Sequence, residues 1–200
     1  TVADPAATRS PDLVDRTFTV EAPNRLWVCD LTYVWTVRRF VYVAFVIDAY
    51  ARRIVGWRVT DHLRTDLPLD ALDQAVYERL EGGRQVADLV AHSDAGRQYT
   101  AMAYTDRLVD AGIAPSIGSV GDSFDNALAE TIIGLFKTEV VFQRERWDSL
   151  EDVEWETMRW VSWFNHERLF GPIGFIPPAE HETNYYRHQP TPAIPAGVSQ

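Results

Sequence analysis

The chain has 200 residues, of which 46% are hydrophobic, 24% charged and 12% aromatic. That composition suits one folded domain and excludes disorder as its main state. A net charge of −10 argues against any partner held by bulk electrostatics alone, nucleic acid included.

The charge is unevenly spread, however. Residues 21–60 carry six arginines against Glu21, Asp30 and Asp48, whereas 61–90 and 139–170 are each acidic by four charges. A basic strip within an acidic domain keeps DNA open as a partner. The longest apolar run, residues 40–47, is eight long, and a membrane-spanning helix needs roughly 18 or more. The opening residues lack the basic and apolar pattern of a signal peptide. One cysteine, Cys29, excludes a disulfide framework and a zinc cluster, which points to a reducing, cytosolic compartment. The first residue is not methionine, so the chain is expected to be a piece of a longer protein.

Residues 1–20 contain two prolines and no sustained period, and read as an extended lead-in or linker. Segments 26–36, 40–48 and 53–60 are short, β-branched and aromatic-rich, and their short links predict an antiparallel meander. Helical spacing follows: Thr65 is the expected cap of a helix with Leu69, Leu72, Val76 and Leu80 on one face, ending at Gly82 and Gly83. Residues 86–92 read as a fourth strand, 100–111 as a helix closed by Gly112, and 113–117 as a fifth strand. Gly118 and Gly121 flank a loop. One helix is predicted from about 123–126 to Phe142, and another over 150–166 with Ser149 as cap and Asp152 at its third position. After Phe170 the chain is rich in proline and reads as a tail lying on the surface.

The order β-β-β-α-β-α-β-α-α predicts an α/β fold. Its mixed five-stranded sheet has three antiparallel strands, then strands alternating with helices, and is flanked by helices. Residues 1–20 form the lead-in, 21–170 the core and 171–200 the tail. No repeat or low-complexity segment is visible.

Three acids sit in unusual company. Asp30 lies inside the apolar strand Trp27-Val28-Cys29-Asp30-Leu31-Thr32-Tyr33, where a carboxylate is costly unless it is paired, hydrogen-bonded or bound to metal. Asp94 follows the fourth strand in His92-Ser93-Asp94-Ala95-Gly96, a strand exit where α/β sites form. Glu130 lies in a helix with small neighbours Ala127 and Gly134, while Leu128, Ile132, Leu135 and Val140 can face the core. It is thus an exposed carboxylate beside low walls. Singly, each acid reads as well as a buried structural carboxylate, a turn cap or a solvated residue. Together, 35 residues separate Asp94 from Glu130, and the only lysine, Lys137, stands two helical turns after Glu130.

This constellation resembles the DDE transposases and retroviral integrases, above all the catalytic half of bacterial insertion-sequence transposases of family three. The likeness spans about residues 17–187. It is carried by Asn24-Arg25-Leu26-Trp27-Val28-Cys29-Asp30-Leu31-Thr32-Tyr33, by Val46-Ile47-Asp48 with Arg52-Arg53-Ile54-Val55-Gly56-Trp57, and by His92-Ser93-Asp94 with Gly96 and Gln98-Tyr99. It continues in Gly121-Asp122-Ser123-Phe124-Asp125-Asn126-Ala127-Leu128-Ala129-Glu130 and Trp163-Phe164-Asn165-His166. The resemblance implies a ribonuclease-H-like fold and a catalytic, metal-binding triad of Asp30, Asp94 and Glu130. Ala95, Arg97 and Phe170-Gly171 depart from the family's usual residues, which touches fine DNA contacts and not the triad.

Oxygen ligands of this kind suit Mg²⁺ or Mn²⁺, and two ions can serve the attacking and leaving oxygens of an in-line displacement. The implied activity is metal-dependent cleavage and strand transfer at the ends of a mobile element, without a covalent enzyme intermediate. Lys137, Asn126, Arg97 and Gln98 are the candidate DNA contacts, Asn126 reading equally well as a helix-start residue. Asp48 reads as a structural acid, with a fourth catalytic acid as its alternative, His92 as a positioning residue beside Asp94, Arg38-Arg39 and Arg52-Arg53 as candidate phosphate contacts, and Trp155, Trp160 and Trp163 as packing for the last helix. Expected partners are DNA, further copies of the chain on DNA and an upstream helix-turn-helix segment, with no membrane. The expected location is the bacterial cytoplasm, on the nucleoid. Two rivals stand beside this reading: a nuclease of the same fold that cuts without joining, and a silent, domesticated DNA-binding or assembly module.

Overall fold

The computed structural model describes residues 10–118 and 126–188. Strands β1 (Leu26–Trp35), β2 (Phe40–Asp48) and β3 (Ile54–Thr60) form the expected antiparallel meander, because the short links between them allow only hairpin returns. Helix α1 (Asp66–Glu81) then carries the chain across the sheet to β4 (Val90–Ser93), which pairs parallel with β1. Helix α2 (Met102–Asp110) leads to β5 (Ala114–Ile117), parallel to β4. The strand order is β3-β2-β1-β4-β5, a five-stranded mixed sheet.

The pleat sorts side chains onto two cores. Val28, Val34, Val43, Phe45 and Ile47 face helices α3 (Ala127–Glu139) and α4 (Leu150–His166), meeting Ile132, Phe136, Trp160 and Phe164. Trp27, Cys29, Ala44 and Val46 face α1 and α2, meeting Leu67, Ala71, Leu72, Ala75 and Leu108. Central β1 is thus covered on both faces over its first half, which is why its sequence there is apolar without alternation. Gly56 on β3 lets α1 approach closely: a Cβ there would stand 2.1 Å from the Ala71 carbonyl oxygen and 2.9 Å from the Ala75 Cβ.

Several boundaries differ from expectation. Thr65 precedes α1 in helical conformation (φ −65°, ψ −26°) and its side chain makes no capping bond, whereas the Ser149 hydroxyl accepts the Asp152 N–H at 3.2 Å as expected. The fourth strand begins at Val90, not 86, because β1 itself begins at Leu26, the partner of Val90. Val86 and Leu89 are buried in a turn through Asp88 (φ +64°). Helix α3 ends at Glu139 and a 3₁₀ turn, Val141–Gln143, follows it. The expected start of that helix at 123–125, and the glycine loop as far as Gly121, lie outside the described residues. Trp160 packs in the core, but Trp155 and Trp163 are 59% and 40% exposed.

The largest correction concerns the tail. Pro178–His188 forms a helix, α5, which opens on a proline, a residue suited to a first helical turn. Its Glu182, only 3% exposed, accepts hydrogen bonds from Arg53 at 2.6 Å and from Arg79, which also lies 3.5 Å from Asp48. His181 stacks on Tyr50 at 4.9 Å. Helix α5 is therefore locked onto the ends of α1 and β2 and not laid loosely on the surface.

Candidate active site

Asp30 sits midway along β1, on the face that α3 covers. The parallel β1–β4 ladder has its last pair at Cys29 and Ser93. The next residues, Asp30 and Asp94, are therefore neighbours where the two strands part, at the carboxyl end of the parallel strands. Burial is the main cause that pushes the Asp30 carboxyl up to about 7. The Leu31 N–H, donating to its Oδ1 at 2.7 Å, works the other way. The charges of Asp94 and Glu130 raise it further, and Lys137 draws it down. All four groups thus share one electrostatic field.

Asp94 is exposed, and its Oδ1 accepts the Gly96 N–H at 3.0 Å. A Cβ at Gly96 would stand 2.8 Å from that oxygen, so a side chain there would displace the carboxylate. Glu130 lies in the first turn of α3, exposed, while Ala129, Ile132, Ile133 and Phe136 are buried and seat the helix. Leu128 and Leu135 pack at the margin of that core. Lys137 is partly buried, its Nζ 5.5 Å from the centre of the Tyr33 ring.

Asn126 departs from the expected DNA contact. It is 4% exposed, and its amide donates to the Cys29 carbonyl at 3.0 Å, pinning the start of α3 beside β1 one residue before Asp30. Its place immediately before the helix was legible, but its bond reaches across to β1 and does not cap the helix. Arg97 is exposed and Gln98 partly buried on the turn after Asp94.

The other candidates are structural. Asp48 is fully buried and accepts the N–H groups of Asn24, Tyr50 and Ala51 at 2.8 to 3.1 Å. His92, 1% exposed, is bonded to Ser116 at 2.9 Å. Much of the basic strip is neutralised: Arg39 pairs with Asp61 at 2.5 Å, Arg58 with Asp70 at 3.3 Å and Arg53 with Glu182. Burial pushes the Cys29 thiol up to about 12, so it is no thiolate nucleophile at neutral pH. Sequence reasoning missed two contributors. Tyr99, 2% exposed, has its hydroxyl within the field of Asp30 and Asp94. Tyr33 lies under Lys137, and its place three residues after Asp30 on the same strand was the one available signal.

Among the described residues, no three His, Cys, Asp or Glu side chains close on a single point as a metal cage. The donor chemistry nevertheless fits a hard divalent cation. Three carboxylates offer only oxygen ligands, and Asp30, pushed up to about 7 chiefly by burial and further by Asp94 and Glu130, is a carboxylate whose charged form a cation would stabilise.

Comparison with known proteins agrees with this architecture. The integrase core domain family matches residues 20–123, and a second integrase core domain family matches 111–178. The chain is 55% identical over 194 residues to a putative transposase for insertion sequence element IS986/IS6110 of Mycobacterium tuberculosis, covering 96% of this chain and 70% of that protein. Among solved structures, the magnesium complex of the HTLV-2 integrase catalytic core superposes with a TM-score of 0.62 at 14% identity, over 82% of this chain and 99% of that one. A chain of the simian T-cell lymphotropic virus intasome, solved with a phosphatase regulatory subunit, gives a TM-score of 0.67 at 14% identity, over 98% of this chain and 66% of that one.

Proposed function

Because the chain belongs to the integrase core domain family, we propose that it is the catalytic core of an insertion-sequence transposase, which cuts and joins DNA strands at the ends of a mobile element. The observation that carries the reading is the β1–β4 register, which ends at Cys29 and Ser93 and leaves Asp30 beside Asp94, with Glu130 and Lys137 of α3 acting on the same carboxylate. In this reading Asp30, Asp94 and Glu130 hold Mg²⁺ or Mn²⁺, two ions once DNA is bound. The ions would supply Lewis-acid stabilisation of the attacking and leaving oxygens.

The residues have separable tasks. Asp30, anchored by the Leu31 N–H, and Asp94, held by the Gly96 N–H, form the rigid half of the site. Glu130 comes from a separate helix, set in place by the Asn126 bond to β1. Lys137 binds a phosphate beside the reacting one, and Arg97 and Gln98 line the strand exit. Water adds to phosphorus as the 3′-oxygen leaves. The freed 3′-hydroxyl then attacks phosphorus in a second strand, gives up its proton and displaces that strand's 3′-oxygen. No enzyme nucleophile takes part. Residues 21–170 hold the site.

Nothing in the fold or the comparisons favours a nuclease that only cuts, or a silent module. The chain spans 70% of the length of its mycobacterial relative. Reading of the element's ends is assigned to an upstream helix-turn-helix segment, and assembly to further copies of the chain on DNA, for which the intasome likeness is the support. No helix among the described residues is long and apolar enough to cross a membrane. A cytoplasmic, nucleoid-associated location belongs to the same proposal. The test is Mg²⁺- and Mn²⁺-dependent cleavage and joining of labelled duplexes carrying the element's ends, in a protein that retains the upstream segment. Cut and joined products are expected, and both should vanish in Asp94→Asn. Cutting without joining would favour the nuclease, and substantial activity in Asp94→Asn would overturn the assignment.

A further inference from the structure

The outer end of the β1–β2 hairpin carries an exposed aromatic group that the fold does not use. Tyr33, Trp35 and Phe40 are 57%, 59% and 43% exposed. Their rings nonetheless touch: Phe40 meets Tyr33 at 5.2 Å and Trp35 at 4.7 Å, both edge to face. Trp35 and Phe40 are cross-strand partners, and Tyr33 is the diagonal neighbour. Tyr33 and Trp35 alternate with buried Thr32 and Val34, so the pleat holds them outward. Single exposed apolar residues are ordinary on protein surfaces, whereas a contiguous ordered group marks a binding surface.

We propose that Tyr33, Phe40 and Trp35 form a stacking platform for an unpaired DNA base beside the reacting phosphate, with Lys137 holding the phosphate of that same nucleotide. The proposal rests on the transposase reading and goes beyond it. Lys137 is the link: the pleat sets Asp30 and Tyr33 on opposite faces of β1, and the Lys137 ammonium lies 5.5 Å from the Tyr33 ring while its charge is felt by Asp30. Arg38, exposed at the hairpin turn, adds positive charge at the far end. An aromatic face flanked by cations fits a base and its phosphates better than it fits an apolar protein surface. A paired base is covered by its neighbours, so only an unpaired one presents a face to Tyr33, and strand ends opened by cleavage supply such bases.

The test uses a short duplex with a single-stranded 5′ tail carrying 2-aminopurine, at low salt. The wild-type chain should bind the tailed duplex more tightly than a blunt one and quench the probe. Tyr33→Leu and Trp35→Leu, both at exposed positions, should weaken tailed-duplex binding by about tenfold each and relieve the quenching, while Tyr33→Phe retains both. Replacing the tail base by an abasic site should weaken binding to wild type but not to Tyr33→Leu. Equal quenching and affinity in wild type, Tyr33→Leu and Trp35→Leu would overturn the platform. So would variants that lose self-association in sedimentation while binding the tail unchanged, since the surface would then serve a protein partner. Asp30-dependent cleavage of the element-end duplex, by protein that retains the upstream segment, reports on the transposase reading separately. Its presence with unchanged quenching sinks the platform alone, and its absence sinks the parent reading.

Discussion

Replacing Asp30 by asparagine should stabilise the metal-free protein at neutral and alkaline pH while abolishing its chemistry. In the fold the Asp30 carboxyl is raised from its ordinary 3.8 to about 7, chiefly by burial and then by Asp94 and Glu130. The folded state therefore holds this proton more tightly than the unfolded chain does. Wild-type stability should fall as pH rises from about 4 to about 7, and stay at the lower level above that. At about 1.4 kcal/mol per tenfold in proton affinity, the whole window bounds the loss at about 4 kcal/mol. Asparagine keeps the oxygen that accepts the Leu31 N–H and carries no charge. Asp30→Asn should accordingly match wild type near pH 4 and exceed it at pH 8 by about 1–4 kcal/mol, a rise of several degrees in Tm for a domain of this size. Thermal melts across pH 4 to 8, with chelator or with Mg²⁺, read this out. Mg²⁺ should raise the wild-type Tm at pH 8 and leave Asp30→Asn nearly unmoved, because the cation stabilises the buried carboxylate charge that the asparagine lacks. Parallel pH profiles for the two proteins would refute the electrostatic reasoning. A wild-type Tm indifferent to Mg²⁺ would refute the cation site.

Three further outcomes follow from named contacts. Lys137→Ala should weaken DNA binding across sequences and flatten the salt dependence of the binding constant by about one unit, while Lys137→Arg retains most of both; an unchanged salt slope in titrations would return Lys137 to the solvated surface. Asn126→Ala removes the amide bonded to the Cys29 carbonyl and should cost about 1–2 kcal/mol in denaturant unfolding. Its cleavage rate should fall further than stability explains, because Glu130 loses its anchor; activity equal to wild type would contradict that role. Gly56→Ala places a methyl group against the Ala71 carbonyl of α1 and should cost about 1–3 kcal/mol or more, seen as a lowered Tm, and an unchanged Tm would mean that α1 can shift freely.

The strands of the meander, the helix over Leu150–His166 and the alternation of strands and helices were legible in the sequence because each is written in local periodicity. Two of the candidate acids stood out as local anomalies, a carboxylate inside an apolar strand and another at a strand exit, whereas their grouping with Glu130 came from the resemblance and stands as a proposal. Tertiary structure decided the rest. Asp30 and Asp94 become neighbours only because β4 inserts beside β1 in parallel, a pairing that no local pattern encodes. Asn126 could be read as a helix-start residue, but its partner on β1 lies 97 positions away in the chain. The segment after Phe170 looked like a tail because its prolines and polar residues carry no core-facing stripe. It folds as α5 because Glu182 finds Arg53 and Arg79, more than a hundred residues earlier, and buries its charge between them. Trp155 and Trp160 stand five residues apart, on different faces of one helix, and the packing of α3 and β2 settles that the Trp160 face is the covered one while Trp155 stays in water. Periodicity records what a residue's near neighbours are, whereas burial and charge pairing depend on which distant segments arrive beside it.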